Sequence, residues 1–377
     1  MKKTVISLAA AAVLTASMTA TAFAGEAIAP DTFTLTTTFS ENEYCGEILT
    51  HLNEELQTLS DGALSLDIYW GGTVAGAGEE LAFVGEGGLD MTVIGQSQYT
   101  SVLPLLNFPS QVITSYEDSI NLIDSIAFTN EKTKDFVQAE IESNNVHMIG
   151  SMPGGTNAFI TKTEYKSIDE MKGLKLGIGM NQSAMESLGF NVVTMMPWDY
   201  YDQLSRGVAD AGYMSISALI SMSLQEVTPF FLADGTYTAG NIITMNLDRW
   251  NALSDAAKAV FEQAVANTQK YACEIAVNMD ADAETKIIEA GGALNKLGAE
   301  DAARVQQAFF TTGTGDARGY ALSAGKTDEM EVILAEVAAY IGLDVPDTAA
   351  TVAADAGDSE GGESAEGESA DGESAAE

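Results

Sequence analysis

The stretch from Ser254 to Gly291-Gly292 constrains this chain more than any other. Leu253 can staple and Ser254 can cap. Apolar residues then recur with helical spacing at Val260, Phe261, Val265, Tyr271, Ile275, Met279, Ile287 and Ile288. At 1.5 Å per residue such a helix is roughly 55 Å long, longer than one lobe of a chain this size is wide. Unbroken, it must lie across two lobes. The other reading is a pair of helices with a break near 278–280. A length of 377 residues also makes two domains the default.

Upstream of that helix the chain alternates strand and helix. Residues 32–38 are β-branched, and 41–59 place Ile48, Leu49, Leu52 and Leu56 at helical spacing. Residues 63–70 alternate as a strand, 79–84 restart a helix and 89–94 are again strand-like. The same grammar gives strands at 146–151, 158–161, 174–178, 191–195 and 209–214. Such alternation predicts an α/β architecture with largely parallel sheets. One unit occurs twice: a helix end, Gly87-Gly88-Leu89-Asp90, then a strand, and a helix end, Gly207-Val208-Ala209-Asp210, then a strand. Each Gly can end a helix in the left-handed conformation, and each Asp can receive backbone N–H groups of the turn. The two Asp residues are therefore expected to be structural, and the repeat suggests two similar lobes.

The ends stand apart from this core. Lys2 and Lys3, an apolar run from Val5 to Val13 and Ala22-Phe23-Ala24 read as a secretory signal over 1–24, cleaved before Gly25. Residues 347–377 carry acids, no base, and a thrice-repeated Gly-Glu-Ser-Ala, the composition of a disordered acidic tail. The whole chain has 55 acidic and 17 basic residues, a formal charge of -38. Nucleic-acid binding is excluded, because phosphate neutralisation needs clustered bases. Between Gly25 and Glu131 there are 17 acids and no Lys or Arg, so His51 is the sole side-chain cation available there.

No motif for covalent chemistry is present: no His-Glu-x-x-His, no Gly-x-Ser-x-Gly, no phosphate loop. Gly76-Ala77-Gly78 lacks the third Gly of a dinucleotide turn and reads as a helix start. Asn278-Met279-Asp280-Ala281-Asp282-Ala283-Glu284 has alternating carboxylates without the calcium-loop Gly, and reads as a solvated face. His51 and His147 are isolated. Cys45 and Cys273 could pair in an oxidising compartment, but spacing does not join them. No catalytic residue, metal ligand or cofactor is expected.

Taken in order, Trp70-Gly71-Gly72-Thr73, Glu79-Glu80-Leu81, Gly87-Gly88-Leu89-Asp90 and Asn107-Phe108-Pro109 resemble the first lobe of the solute-binding subunits of tripartite ATP-independent periplasmic (TRAP) transporters. Ile168-Asp169-Glu170-Met171-Lys172-Gly173-Leu174-Lys175 and Tyr200-Tyr201-Asp202-Gln203-Leu204-Ser205-Arg206-Gly207-Val208-Ala209-Asp210-Ala211-Gly212 are similar to its second lobe, and the likeness spans about 33–343. The resemblance implies an α/β, two-lobed periplasmic-binding-protein-like fold. Each lobe would be a mostly parallel sheet flanked by helices, with the long helix bridging both. The implied parts are lobe I over 25–149, lobe II over 150–239, a lobe I return with the bridging helix over 240–280, and lobe II C-terminal helices over 281–346. The implied function is extracytoplasmic, periplasmic or secreted: a monomer captures a small polar solute in the inter-lobe cleft and delivers it to TRAP permease subunits. No enzyme activity is implied.

The sequence departs from the family at its carboxylate clamp. The usual Arg position reads Gly177, and a second basic position falls at Asn157. Neither can supply the paired charge-assisted bonds of a guanidinium. A ligand without a carboxylate, neutral or cationic, follows as the expectation. Trp70, Gln96, Tyr99, Asn157, Gly177, Asn181, Trp198 and Tyr213 occupy the loop and strand-end positions where a cleft ligand would be met. Two alternatives stay open: a two-lobed receptor for an ABC transporter or sensor, and a surface interaction protein that uses the acidic tail.

Overall fold

The computed structural model describes residues 27–42, 44–179, 181–237 and 240–351. The signal-like segment and most of the acidic tail lie outside the described residues. In chain order the strands are β1 (Asp31–Thr36), β2 (Leu64–Tyr69), β3 (Met91–Gly95), β4 (Val146–Ser151), β5 (Thr156–Thr161), β6 (Lys175–Ile178), β7 (Asn191–Thr194), β8 (Ala211–Ser215), β9 (Phe230–Tyr237), β10 (Asn241–Asn246) and β11 (Ala293–Lys296). They form two sheets, ordered β2-β1-β3-β10-β4 and β11-β9-β5-β8-β6-β7. Helices cover both sheets, so the molecule is a two-lobed α/β protein.

The sheets are more mixed than strand–helix alternation predicts. Strand β10 runs antiparallel to β3 and β4, and β5 runs antiparallel to β8 and β9. The reason is the route of the chain. Strands β3, β4, β8 and β9 all point their C-terminal ends at the gap between lobes. The chain crosses that gap between β4 and β5 and again between β9 and β10. A strand that begins at the gap must run away from it, against its neighbours.

The third crossing is the helix Asp255–Glu289, unbroken over 35 residues. Ser254 caps it by accepting a hydrogen bond from the Ala257 N–H at 3.2 Å. Its first half buries Ala257, Val260, Phe261, Ala264, Val265 and Ala272 in the core of the first sheet; Ala283 and Ile287 join a core of the second. In its second half, between the lobes, Asp280 accepts hydrogen bonds from the Tyr116 and Thr156 hydroxyls, each at 2.8 Å. Asp280 is thus a held junction residue, where the sequence pattern read a solvated face. Burial raises its carboxyl above the usual range despite both bonds.

The repeated Gly-x-x-Asp unit has one geometry in both lobes. Gly87 and Gly207 end their helices at φ 82° and 73°. Asp90 accepts from the Thr34 N–H at 2.8 Å, and Asp210 accepts from the Lys175 N–H at 3.0 Å. Each carboxylate therefore ties its turn to the neighbouring parallel strand. The copies differ in load: Asp90 also binds the Thr34 hydroxyl at 2.9 Å and the Arg249 Nε at 2.7 Å.

The helix Ala299–Ala324 packs on both lobes, against β9 and the helix Gln182–Ser187 as well as the turn Pro104–Leu106, and Thr327–Ile341 follows it. Lys326 pairs with the buried Glu140 at 2.7 Å, and Tyr340 donates to Asp118 at 2.7 Å. Residues 347–351 of the acidic segment pack along the first of these helices, where the Thr351 N–H donates to Gly315 O at 2.9 Å. Cys45 and Cys273 are not joined by a disulfide.

Asp90→Ala is expected to cost about 2–3 kcal/mol of stability and Asp210→Ala about 1 kcal/mol or less, since the first strips three donors of their partner, one of them the Arg249 guanidinium. Urea unfolding followed by circular dichroism measures both.

Candidate functional site

A cavity of about 310 Å³ opens between the lobes at the C-terminal ends of β3 and β6. Gly95, Gln96 and Ser97 reach it from the end of β3, and Gln111 from the loop that follows. Asn181 stands at the start of the short helix after β6, and Asn241 begins β10. Phe309, Asp316 and Tyr320 come from the helix Ala299–Ala324. Ligand pockets of α/β proteins form at such strand ends, where turns leave backbone and side chains free to face a guest.

The polar character of the wall is unusual in one respect: it holds amides, hydroxyls and one carboxyl, and among the described residues no Lys, Arg or His. Asn181 Nδ2 donates to Gln111 Oε1 at 2.7 Å, a bond made from one lobe to the other. Gln96 is 6% exposed, and its Nε2 has no hydrogen-bond partner. A buried amide donor without an acceptor costs on the order of 1–3 kcal/mol. Burial raises the Asp316 carboxyl, with the Thr351 hydroxyl bond opposing that rise.

Behind the wall lies a second polar cluster. The Tyr213 hydroxyl donates to Asp234 Oδ2 at 2.6 Å, while the Thr236 N–H and hydroxyl donate to Oδ1 at 2.8 and 2.9 Å. Asn157 Nδ2 donates to the Thr236 hydroxyl at 3.2 Å. The Tyr213 ring packs on Phe309, centroids 5.8 Å apart, so the cluster supports the cavity wall from the sheet side. Burial raises the Asp234 carboxyl to about 6, outweighing its three donors.

Of the residues expected to meet a ligand, Gln96 and Asn181 are brought together in the cavity wall. Asn157 and Tyr213 stand one layer behind it. Tyr99 is buried, its hydroxyl donating to Glu80 Oε2 at 2.5 Å, and it fixes the helix Glu80–Gly85. Trp70 is half-buried against the first core, and Trp198 is 76% exposed; neither lines the cavity. Gly177 is also outside it. A Cβ there would lie 2.4 Å from Met195 Cε, so Met195 fills the direction a side chain would take.

Sequence reasoning missed Gln111, Asn241, Phe309, Asp316 and Tyr320. Gln111 follows the quoted Asn107-Phe108-Pro109 by two residues and was within reach. Nothing local marks the helix Ala299–Ala324 as returning to the cleft. Asp234 did carry a signal, an acid directly after the apolar run Phe230-Phe231-Leu232-Ala233.

Residues 35–311 match the sequence profile of the bacterial extracellular solute-binding proteins, family 7. The 2,3-diketo-L-gulonate-binding periplasmic protein of Escherichia coli is 22% identical over 241 residues, 63% of this chain and 71% of that one. A TRAP periplasmic solute-binding protein of Ochrobactrum anthropi, its C-terminus bound in the ligand-binding pocket, superposes with a TM-score of 0.68 at 18% identity, covering 83% of this chain and 97% of that one. An open, ligand-free one from Rhodobacter sphaeroides gives 0.69 at 12% identity over 80% and 99%. A Sulfitobacter protein with bound β-D-galacturonate gives 0.61 at 15% over 81% and 98%.

Two outcomes test the wall and its support. The unfolded Asp234 ionises near the ordinary 3.8, whereas the folded one holds its proton to about 6. The stability of the protonated form is full below the lower value and is lost as pH rises through the upper one. Thermal unfolding between pH 4 and pH 7 should therefore show a smaller fall for Asp234→Asn than for the wild type. Gly177→Ala should cost about 1–3 kcal/mol by overpacking, and Met195→Ala in the same chain should relieve the clash, as a double-mutant cycle in urea would show.

Proposed function

Because the chain belongs to the bacterial extracellular solute-binding proteins of family 7, we propose that the cavity between its lobes is where it captures its solute. As a member of that family it is an extracytoplasmic binding protein. It takes up a small polar ligand and passes it to the membrane subunits of a TRAP transporter. It is a transport component and performs no covalent chemistry.

The observation that carries the placement of the site is the inter-lobe cavity with both lobes in its wall. Gln96 and Gln111 come from the first lobe and Asn181 from the second, with Asn181 already bonded across to Gln111. A solute seated there touches both lobes at once. Its binding energy then favours the closed arrangement, the form a permease can distinguish from an empty one. The long helix, which joins the core of each lobe, holds the lobes in register during such closure. Gln96 and Asn181 are the side chains we assign to direct contact; Asn157 and Tyr213 act through the wall they support.

A thermal-shift screen finds the ligand class: a true ligand at 100 times its Kd adds about 2.7 kcal/mol, a rise of a few degrees. With a ligand in hand, calorimetric titration should show Gln96→Ala and Asn181→Ala weakened by about tenfold or more, and Trp198→Ala unchanged within about twofold. Equal affinity in all three would place the site elsewhere.

A further inference from the structure

We propose that the cleft takes a neutral polyhydroxylated solute of about monosaccharide size, held by the side-chain amides of Gln96, Gln111, Asn181 and Asn241 with Asp316. The inference rests on the cavity being the capture site, and it goes further by naming what is captured.

Charge argues first. A carboxylate entering this cavity would leave water to face Asp316, with no Lys, Arg or His among the described lining residues to meet it. Burying an anion without a cation costs several kcal/mol. The strands that would carry a clamp offer none. Met195 fills the side-chain direction at Gly177, and the Asn157 amide is engaged by Thr236. Nor can the first lobe help, since it has no Lys or Arg from Gly25 to Glu131.

Hydrogen-bond chemistry then separates neutral from cationic guests. The unpartnered Gln96 Nε2 is a donor, and it calls for an oxygen. An ammonium presented to that N–H group would be repelled by it. A hydroxyl both donates and accepts. It therefore matches the carboxamides, which offer each role in one plane, and Asp316, which accepts. Phe309 and Tyr320 add an apolar face against which the C–H side of a sugar or polyol can lie. The volume of about 310 Å³ sits at the small end of ligand pockets, enough for one ring or a short polyol.

The test is isothermal titration of the folded chain with matched pairs: an aldohexose against its uronate, and an alditol against its aldonate, with quaternary amines, amino acids and dicarboxylates alongside. The expected result is a neutral member that binds at least about 100-fold tighter than its own acid. Gln96→Leu should weaken that member by roughly tenfold or more, and Asp316→Asn should narrow the gap between neutral and acid by about tenfold. Circular dichroism and the unfolding midpoint show that both variants fold. Tighter binding of the acid members, or binding of amines alone, overturns the neutral class and leaves capture in place. No binding in any class overturns capture as well.

Discussion

Both lobes of this protein are built onto one helix of 35 residues, and the contact that matters most sits in its second half. Asp280 accepts hydroxyls from Tyr116, on the first lobe, and from Thr156, the first residue of β5. Tyr116 in turn meets Tyr237 at the end of β9, ring centroids 4.8 Å apart. One carboxylate thus gathers the bridging helix and both strand crossings at the point where the lobes meet. Were the helix to break near 278–280, the crossings would be two short links with nothing to set their spacing. Continuity of the helix and the antiparallel strands β5 and β10 are two consequences of one requirement: the chain must cross the gap and keep the cleft's walls opposed.

The acidic excess shapes the interior as much as the surface. Buried or half-buried acids are held largely by neutral donors, because cations are few. Asp124 takes the Ser151 hydroxyl at 2.7 Å and the Gln269 amide at 2.8 Å, and Asp234 takes Tyr213 and Thr236. Glu140 is the contrast: it has Lys326 as well as the Leu105 N–H at 3.0 Å. In each case burial still raises the carboxyl. Neutral donors satisfy an acid without repaying its full desolvation. The cleft repeats that chemistry, since its wall is built from amides and hydroxyls around a single carboxyl.

Much of the fold was legible because its signals are local. The Ser254 cap, the period of the long helix and the Gly-x-x-Asp turns each follow from a few neighbouring residues. The antiparallel crossings were not, because strand direction depends on which side of the gap the chain enters from. The site was harder for the same reason. Gln96 and Asn181 could be placed because each follows a recognisable strand. Asp316 and Tyr320 sit in the middle of a late helix whose return to the cleft is set by tertiary packing, as in the Gln306 amide bonded to Val112 O and the Lys326–Glu140 pair. Trp198, attractive as an aromatic after Pro197, faces solvent from the turn Pro197–Asp199, while Tyr200 of the helix that follows is the aromatic buried there.

Gly177 shows why specificity here cannot be read one position at a time. Its missing side chain is matched by Met195, whose methyl end occupies the space, and its carbonyl accepts the Tyr200 hydroxyl at 3.1 Å. Met195 and Tyr200 belong to the core cluster with Ala158, Ile160 and Leu204. A guanidinium introduced at this strand position would begin among those residues. It would displace Met195 and bury a charge beside a hydroxyl that is already bonded to two carbonyls, Gly177 O and Tyr213 O. The bare Gly177 and the packing of Met195 and Tyr200 around it are therefore one arrangement. A change of ligand charge would require the core face of the sheet and the cleft face to be rebuilt together.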